Sequence, residues 1–280
     1  MYKILEKTQF SEKVFKFRID APQMAKHAHA GQFLMVRANE CGERVPFTFA
    51  DWNPEEGWVE FIFMVIGKTT RMLSTYEVGD FLQDVTGPLG EPTEMGEGKW
   101  AVIGGGVGLA IAFPVARQLV AAGREVHAIM GARTKELLLL EDQFRSILDD
   151  DHIHITTDDG SLGEKGVVTA PLERLLQDKQ VDRVFCVGPV PMMKFSTLTA
   201  EKYDTPIIAS LNPIMVDGTG MCGCCRVEVG GETKFACVDG PEFDATKVDW
   251  NDLRARQAAY LTEEGQSIKA YEETRCACHK

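Results

Sequence analysis

The residues with the plainest chemistry lie between Asp217 and Cys237. They read Asp217-Gly-Thr-Gly-Met-Cys222-Gly-Cys224-Cys225 and then, after a run holding Gly230-Gly231, Cys237. Cys222 and Cys225 form a C-x2-C pair. Plant-type [2Fe–2S] sites use C-x4-C-x2-C with a distant fourth cysteine. In this register Asp217 stands where the first cysteine would, and Cys237 is the distant fourth ligand. Gly218, Gly220 and Gly223 suit a loop that wraps tightly and turns N–H groups toward sulfur. Cys224 lies between two ligands and is expected to point away. The alternative for such a group is a structural zinc knuckle, but zinc more often takes paired C-x2-C units and only one is present. A disulfide framework fits poorly with a long chain lacking a secretory signal.

These residues need a scaffold, and 280 residues allow two domains and an appendage. A hydrophobic content of 44% is enough to fill real cores. The net charge of −12 argues against nucleic acid or an anionic membrane surface as a partner. The start, MYKILEKTQF, has no apolar signal core, and no stretch approaches a membrane span, so a soluble cytoplasmic protein is expected.

Residues 1–98 read as an antiparallel β-barrel. Val14–Ile19, Phe33–Val36 and Trp58–Ile66 are rich in β-formers, and turn signals at Ala30-Gly31, Asn53-Pro54, Gly79-Asp80 and Gly87-Pro88 separate them. The nearly unbroken apolar run Trp58–Ile66 predicts a central strand. Within this region Arg44-Val-Pro46-Phe47-Thr48 places a cation and a hydroxyl four apart, hence on one face of a strand. Arg44 could meet a phosphate and Thr48 a ring nitrogen; a surface arginine is the plain alternative. Gly67-Lys68-Thr69-Thr70 precedes a short helix and could hold a phosphate at its N-terminus or simply cap it.

Residues 99–210 change period to alternating strands and helices, the signature of a parallel doubly wound α/β domain. Strands are expected at Lys99–Ile103, Glu125–Met130, His152–Thr156 and Val181–Val187, and helices at Lys135–Leu148 and Val168–Gln177. A further helix is expected from Pro114 as its first residue to Gly123 as its stop. Ligands of such sheets lie at the carboxyl ends of the strands. Gly104, Gly105, Gly106 and Gly108 follow one strand directly, and Gly188-Pro189 follow another. Such a glycine loop lets backbone approach a pyrophosphate, although it is not a strict G-x-G-x-x-G. Arg133 and Asp158, in the turns after the second and third strands, complete the candidate cofactor-binding set. Cys186 stands at a strand end, and by itself reads as a buried strand cysteine.

A barrel followed by a glycine-looped α/β domain resembles the ferredoxin–NADP reductase superfamily. The matching pieces are Arg44–Thr48, Gly67–Leu73, Gly104–Gly108 and Cys186-Val-Gly-Pro-Val-Pro-Met-Met193. The resemblance implies that the first two bind FAD and the last two a nicotinamide cofactor, with Thr48 and Cys186 as the candidate catalytic residues. With the cysteine stretch, the order FAD, nicotinamide, [2Fe–2S] resembles dihydroorotate dehydrogenase electron-transfer subunits. It resembles still more closely the small subunits of NADH-dependent reduced ferredoxin:NADP⁺ oxidoreductases. The pieces are Asn212-Pro-Ile-Met-Val-Asp217 through Cys225 and Phe235-Ala-Cys237-Val-Asp-Gly-Pro-Glu-Phe243. Asp217 is the specific mark, because the dihydroorotate branch keeps cysteine there.

That resemblance implies electron transfer between NAD(H), FAD and the cluster in an electron-bifurcating complex. It also implies a larger partner subunit with FAD and [4Fe–4S] clusters that handles NADP(H) and ferredoxin. Arg133 could bind a 2′-phosphate or stack on adenine, and the family match favours NAD(H). A hydrogenase diaphorase, or a dihydroorotate or sulfide dehydrogenase subunit, is the alternative. Residues 211–280 would hold the cluster and an acidic helical tail anchored by Trp250, Leu253 and Tyr260. The terminal Arg275-Cys276-Ala-Cys278-His279-Lys280 reads as a frayed tail rather than a metal site.

Overall fold

Eight strands form the first unit of the computed structural model, which describes residues 1–274. They are β1 (Tyr2–Ser11), β2 (Val14–Asp20), β3 (Phe33–Arg37), β4 (Arg44–Thr48), β5 (Asp51–Asn53), β6 (Trp58–Met64), β7 (Phe81–Leu82) and β8 (Asp84–Leu89). One sheet runs β5-β6-β2-β1-β7 and the other β4-β3-β8, with antiparallel pairing throughout. As the apolar run predicts, β6 is flanked on both sides, by β5 and β2. Alternation sends Phe17, Phe61 and Phe63 into the core, and the Phe17 ring meets those of Phe61 and Phe63 edge to face at 5.9 and 5.1 Å. Two short helices belong to this unit, α1 (Pro22–Ala25) and α2 (Lys68–Leu73).

The second unit is a seven-stranded sheet built from β9 (Trp100–Gly105), β10 (Val126–Ala132), β11 (Ile153–Thr157), β12 (Glu164–Lys165), β13 (Arg183–Val187) and β14 (Ile207–Ser210), closed by a strand from the C-terminal region. The order β12-β11-β10-β9-β13-β14 is parallel and reverses direction between β9 and β13. That reversal is the switch point at which doubly wound sheets open a crevice. Helices α3 (Leu109–Ala121) and α4 (Glu141–Arg145) cover one face through Leu109, Phe113 and Phe144. Helices α5 (Thr169–Gln177) and α6 (Val190–Glu201) cover the other through Leu172, Val190 and Met193.

Two helical expectations need correction. Helix α3 begins at Leu109, directly after the glycine loop, so Pro114 lies inside it. The apolar face there is buried on the sheet, and packing outweighs the lost backbone bond. Gly123 does end the helix, at φ +75°, with the Arg124 N–H bonded to the Leu119 carbonyl and the Gly123 N–H to that of Val120, a Schellman motif. The single helix expected over Lys135–Leu148 is instead a 3-10 turn at Lys135–Leu137 and then α4. Leu140 breaks the run by adopting φ +61°.

The C-terminal region forms a hairpin of β15 (Arg226–Val229) and β16 (Glu232–Phe235), then β17 (Glu242–Asp244), α7 (Trp250–Gln257) and α8 (Leu261–Thr274). Strand β17 pairs antiparallel with β14 and completes the nucleotide sheet. The sheet therefore crosses the expected boundary at residue 210. Trp250 and Leu253 are buried as expected, but Tyr260 is 54% exposed and anchors nothing in the core. The sequence Arg275–Lys280, with Cys276 and Cys278, lies outside the described residues. Among the described residues no helix is long and apolar enough to cross a membrane.

Candidate functional site

Three groups of residues make the site. The first is on the barrel. Arg44 and Thr48 sit at the two ends of β4, opposite Arg37 and Phe33 of β3. The Arg44 guanidinium donates through Nη2 to Thr86 Oγ1 at 3.1 Å and lies 3.8 Å from Asp84. Its Nε is buried and has no hydrogen-bond partner among the described residues. A buried donor in that state calls for an acceptor, which a phosphate oxygen would supply. Phe47 faces the other way: its ring stacks on Phe61 at 5.0 Å and 9°. Of the expected flavin residues it offers backbone, not ring. Gly67 is the N-cap of α2, and Thr70 Oγ1 accepts from the N–H groups of Ile66 and Gly67. Thr69 Oγ1 donates to Glu43 at 3.2 Å, and Lys68 pairs with the same carboxylate at 3.3 Å. Glu43 had no sequence signal; it holds the start of α2 against the turn before β4.

The second group lies at the sheet's switch point. Gly104 and Gly105 end β9, and Gly106–Gly108 make a single 3-10 turn into α3. A Cβ on Gly105 would lie 2.4 Å from Met192 Sδ, and one on Gly108 would lie 2.6 Å from the Val187 carbonyl oxygen. Gly106, at φ +56°, faces open space, so an extended ligand can run along its backbone. Gly188 and Pro189 follow β13, and Pro189 is the N-cap of α6. Arg133 follows β10 and Asp158 follows β11; both are exposed, and the Asp158 N–H bonds the Ala132 carbonyl at 3.1 Å. The structure thus brings the glycine residues, Arg133 and Asp158 to the carboxyl ends of neighbouring parallel strands. Cys186 does not join them. It pairs with Ile103 and Ala209 in mid-sheet, is 0% exposed, and burial pushes its thiol far up. In this structure Cys186 packs within the sheet, and its expected catalytic role would require the site to open around it.

The third group is the cysteine loop. Gly218, Gly220 and Gly223 all have positive φ, between +67° and +88°, which permits the tight wrap. Cys225 and Cys237 are buried with their sulfurs 3.1 Å apart, and the Gly220 N–H points at Cys237 Sγ at 3.1 Å. Burial, and then the Cys225 thiol, push the Cys237 pKa up to about 12. Cys222 is exposed, and the backbone N–H of Cys224 lowers its thiol pKa. The neighbouring Cys222 thiol raises the pKa of Cys224. Asp217 lies beside Cys222, and its carboxyl is lowered by the Thr219 hydroxyl and N–H and, more weakly, by Arg44. Arg256 of α7 clamps the loop through the carbonyls of Cys224 and Arg226 at 3.3 and 3.1 Å. Neither Arg256 nor the barrel contact of Gly218 was legible in the sequence. A Cβ on Gly218 would lie 2.7 Å from Met35 Cγ and 3.0 Å from Leu89 Cδ1, so the loop sits directly on β3 and β8.

The donor set fits an iron–sulfur group. Two buried sulfurs lie in contact, burial holds the Cys237 thiol protonated, and a bound metal would reverse that by supplying the missing charge. A phosphate-ready barrel, a glycine crevice and a thiolate loop packed on the barrel define a flavin- and iron–sulfur-dependent electron-transfer module.

The comparisons place it further. Residues 1–93 match the oxidoreductase FAD-binding domain, residues 102–197 the oxidoreductase NAD-binding domain, and residues 212–249 the iron–sulfur cluster binding domain of dihydroorotate dehydrogenase B. The chain is 47% identical, over 97% of its length and 95% of the relative's, to the dihydroorotate dehydrogenase B (NAD(+)) electron transfer subunit homolog of Thermotoga maritima. It is 33% identical, over 89% of its length and 97% of the relative's, to the corresponding electron transfer subunit of Desulforamulus reducens. A solved structure of an NADH-dependent reduced ferredoxin-NADP oxidoreductase, described for flavin-based electron bifurcation, matches with a TM-score of 0.90. It has 46% identity and covers 97% of this chain and 98% of that one. The chain belongs to the family of dihydroorotate dehydrogenase B electron transfer subunits and their homologues. It is an electron-transfer oxidoreductase subunit with FAD, NAD and [2Fe–2S] as its cofactors, and it works with a partner subunit.

Proposed function

We propose that the chain is the NAD(H)-side subunit of an electron-bifurcating NADH-dependent ferredoxin:NADP⁺ oxidoreductase. Its larger partner would carry FAD and [4Fe–4S] clusters and handle NADP(H) and ferredoxin, all in the cytoplasm. Bound flavin exchanges two electrons with a nicotinamide and single electrons with a cluster. The residues divide that work. Gly104–Gly108, Gly188, Pro189, Arg133 and Asp158 hold the dinucleotide in the switch-point crevice. Arg44, Pro46, the Phe47 backbone, Thr48 and the α2 start from Gly67 to Thr70 hold FAD on the barrel, with Thr48 toward the reacting ring. Asp217, Cys222, Cys225 and Cys237 hold the cluster. The contact between the Cys225 and Cys237 sulfurs supports a division in which those two would hold one buried iron, with Asp217 and the exposed Cys222 holding the other. Exposed Val216, Met221 and Val238 flank that outer side and suit a protein partner.

The observation that carries this reading is Asp217, a carboxylate beside Cys222 at the first ligand position. The names of the curated relatives favour a second reading, a dihydroorotate dehydrogenase subunit, and the same residue separates the two. A carboxylate oxygen shares less electron density with iron than a thiolate sulfur does, so the cluster potential should stand above that of an all-cysteine site. Asp217→Cys is expected to keep the cluster and lower its potential in a spectroelectrochemical titration. Asp217→Ala should make the cluster labile, and Cys224→Ala should keep iron and spectrum. Loss of the cluster in Cys224→Ala, together with an unchanged potential in Asp217→Ala, would make the site all-cysteine and refute the assignment.

A further inference from the structure

The cofactor sites occupy the carboxyl edge of the nucleotide sheet. At the opposite, amino-terminal edge stands a group of metal-ligating side chains that they do not use. The chain carries Glu125-Val-His127 entering β10 and His152-Ile-His154 entering β11. Spacing of two puts each pair on one face of its strand. The parallel register sets Ala128 opposite Ile153 and Ile129 opposite His154, so the two pairs lie side by side. Ligand atoms of Glu125, His127 and His152 all fall within 4.8 Å of one another. His127 Nε2 is 3.8 Å from Glu125 Oε1, and the His127 and His152 rings are 4.6 Å apart.

We propose that Glu125, His127 and His152 form a binding site for a divalent first-row cation of the zinc class, with His154 as a positioning residue. Zinc takes imidazole nitrogen and carboxylate oxygen at about 2.0–2.2 Å. Tetrahedral neighbours around it are then roughly 3.3–3.5 Å apart. The existing spacing needs only a small closing movement, which the exposed Glu125 and the partly exposed His152 can make. His127 is buried and fixed. Its Nδ1 lies 3.2 Å from His154 Nε2. If Nδ1 carries the proton and donates to His154, Nε2 presents its lone pair toward Glu125, the arrangement by which an outer hydrogen bond orients a metal-bound imidazole. Lys99 Nζ, 3.3 Å from Glu125 Oε1, now balances the carboxylate, and the cation would take over that role. Two histidines and one carboxylate leave a coordination position for water. The site would strap the starts of β10 and β11 together and is independent of the flavin and cluster assignments.

The test uses the full chain with flavin and cluster in place, in a Cys276→Ser/Cys278→Ser background so that the terminal thiols cannot compete. Zinc is added and measured by isothermal titration, with iron content and visible spectrum checked for an intact cluster. One equivalent is expected, with a nitrogen and oxygen shell containing two imidazoles and no sulfur in zinc-edge X-ray absorption. Glu125→Gln and His152→Ala, both near the surface, should each weaken binding at least tenfold, and His154→Ala about tenfold. Sulfur in the shell, no stoichiometric uptake, or equal affinity in all three variants would overturn the site.

Discussion

Glu242 joins the barrel's exit to the last strand of the nucleotide sheet. It opens β17 opposite Ser210 of β14, and its Oε1 accepts a hydrogen bond from the Thr93 hydroxyl at 2.6 Å. Burial, and then repulsion from Glu94, raise its pKa from the ordinary 4.5 to about 7, against the lowering effect of Thr93. Because the folded value is the higher one, the stabilising contribution is complete below pH 4.5. As pH rises the unfolded chain ionises first, and the contribution fades through pH 7 and is then gone. At about 1.36 kcal/mol per pH unit the swing is about 3 kcal/mol. The residue borders a groove of about 880 Å³ lined also by Glu91, Asp239 and Asp244. Water there screens part of the charge, so about 2 kcal/mol is the expected size. Glu242→Gln keeps an acceptor for Thr93 and cannot ionise. At pH 5 it should exceed the parent by only about 0.5 kcal/mol, and at pH 8 by about 2 kcal/mol. Urea unfolding followed by tryptophan emission at pH 5, 6, 7 and 8 reads the difference, in which flavin and cluster contributions cancel. A pH-independent difference, or a variant weaker at pH 8, would refute a charging cost at this position.

Arg44→Ala should weaken FAD binding at least tenfold, since a charge-assisted bond to phosphate is worth about 1.5–3 kcal/mol; flavin retention on dialysis checks it. Gly105→Ala should raise the KM for NADH and leave flavin content unchanged, because its Cβ would lie 2.4 Å from Met192 Sδ. The isolated chain should pass electrons from NADH to an artificial acceptor, without coupling NADPH oxidation to ferredoxin reduction. Coupled turnover by this chain alone would contradict the proposed division between subunits.

Legibility in the sequence followed the range of the forces involved. The three loop glycines and the alternation of strands with helices are local, and the structure shows both. Leu140 escaped notice because its helix break comes from positive φ in an otherwise helix-favouring run. Cys186 has a motif's position but not its exposure, and exposure is a property of the packed sheet. Glu43, Arg256 and the Thr93–Glu242 bond were invisible because each acts on residues distant in the chain, across 149 positions in the last case.

One contact explains why the three cofactor regions belong to a single chain rather than to separable modules. Gly218 stands at the start of the cluster loop and has no side chain, so the loop backbone lies against Met35 and Leu89 of the barrel. Any larger residue there would enter Met35 at 2.7 Å and lift the loop away. The Glu91 N–H bonds the Gly240 carbonyl at 2.7 Å, just beyond Cys237, and holds the other end of the segment to the same barrel edge. Arg44 therefore faces both the proposed flavin phosphate position and Asp217, whose carboxyl it helps to lower. On the proposed assignments, a cation shared in this way would couple the flavin side to the cluster ligands. The close seating of loop on barrel would then also shorten the path for an electron between the two proposed cofactor positions.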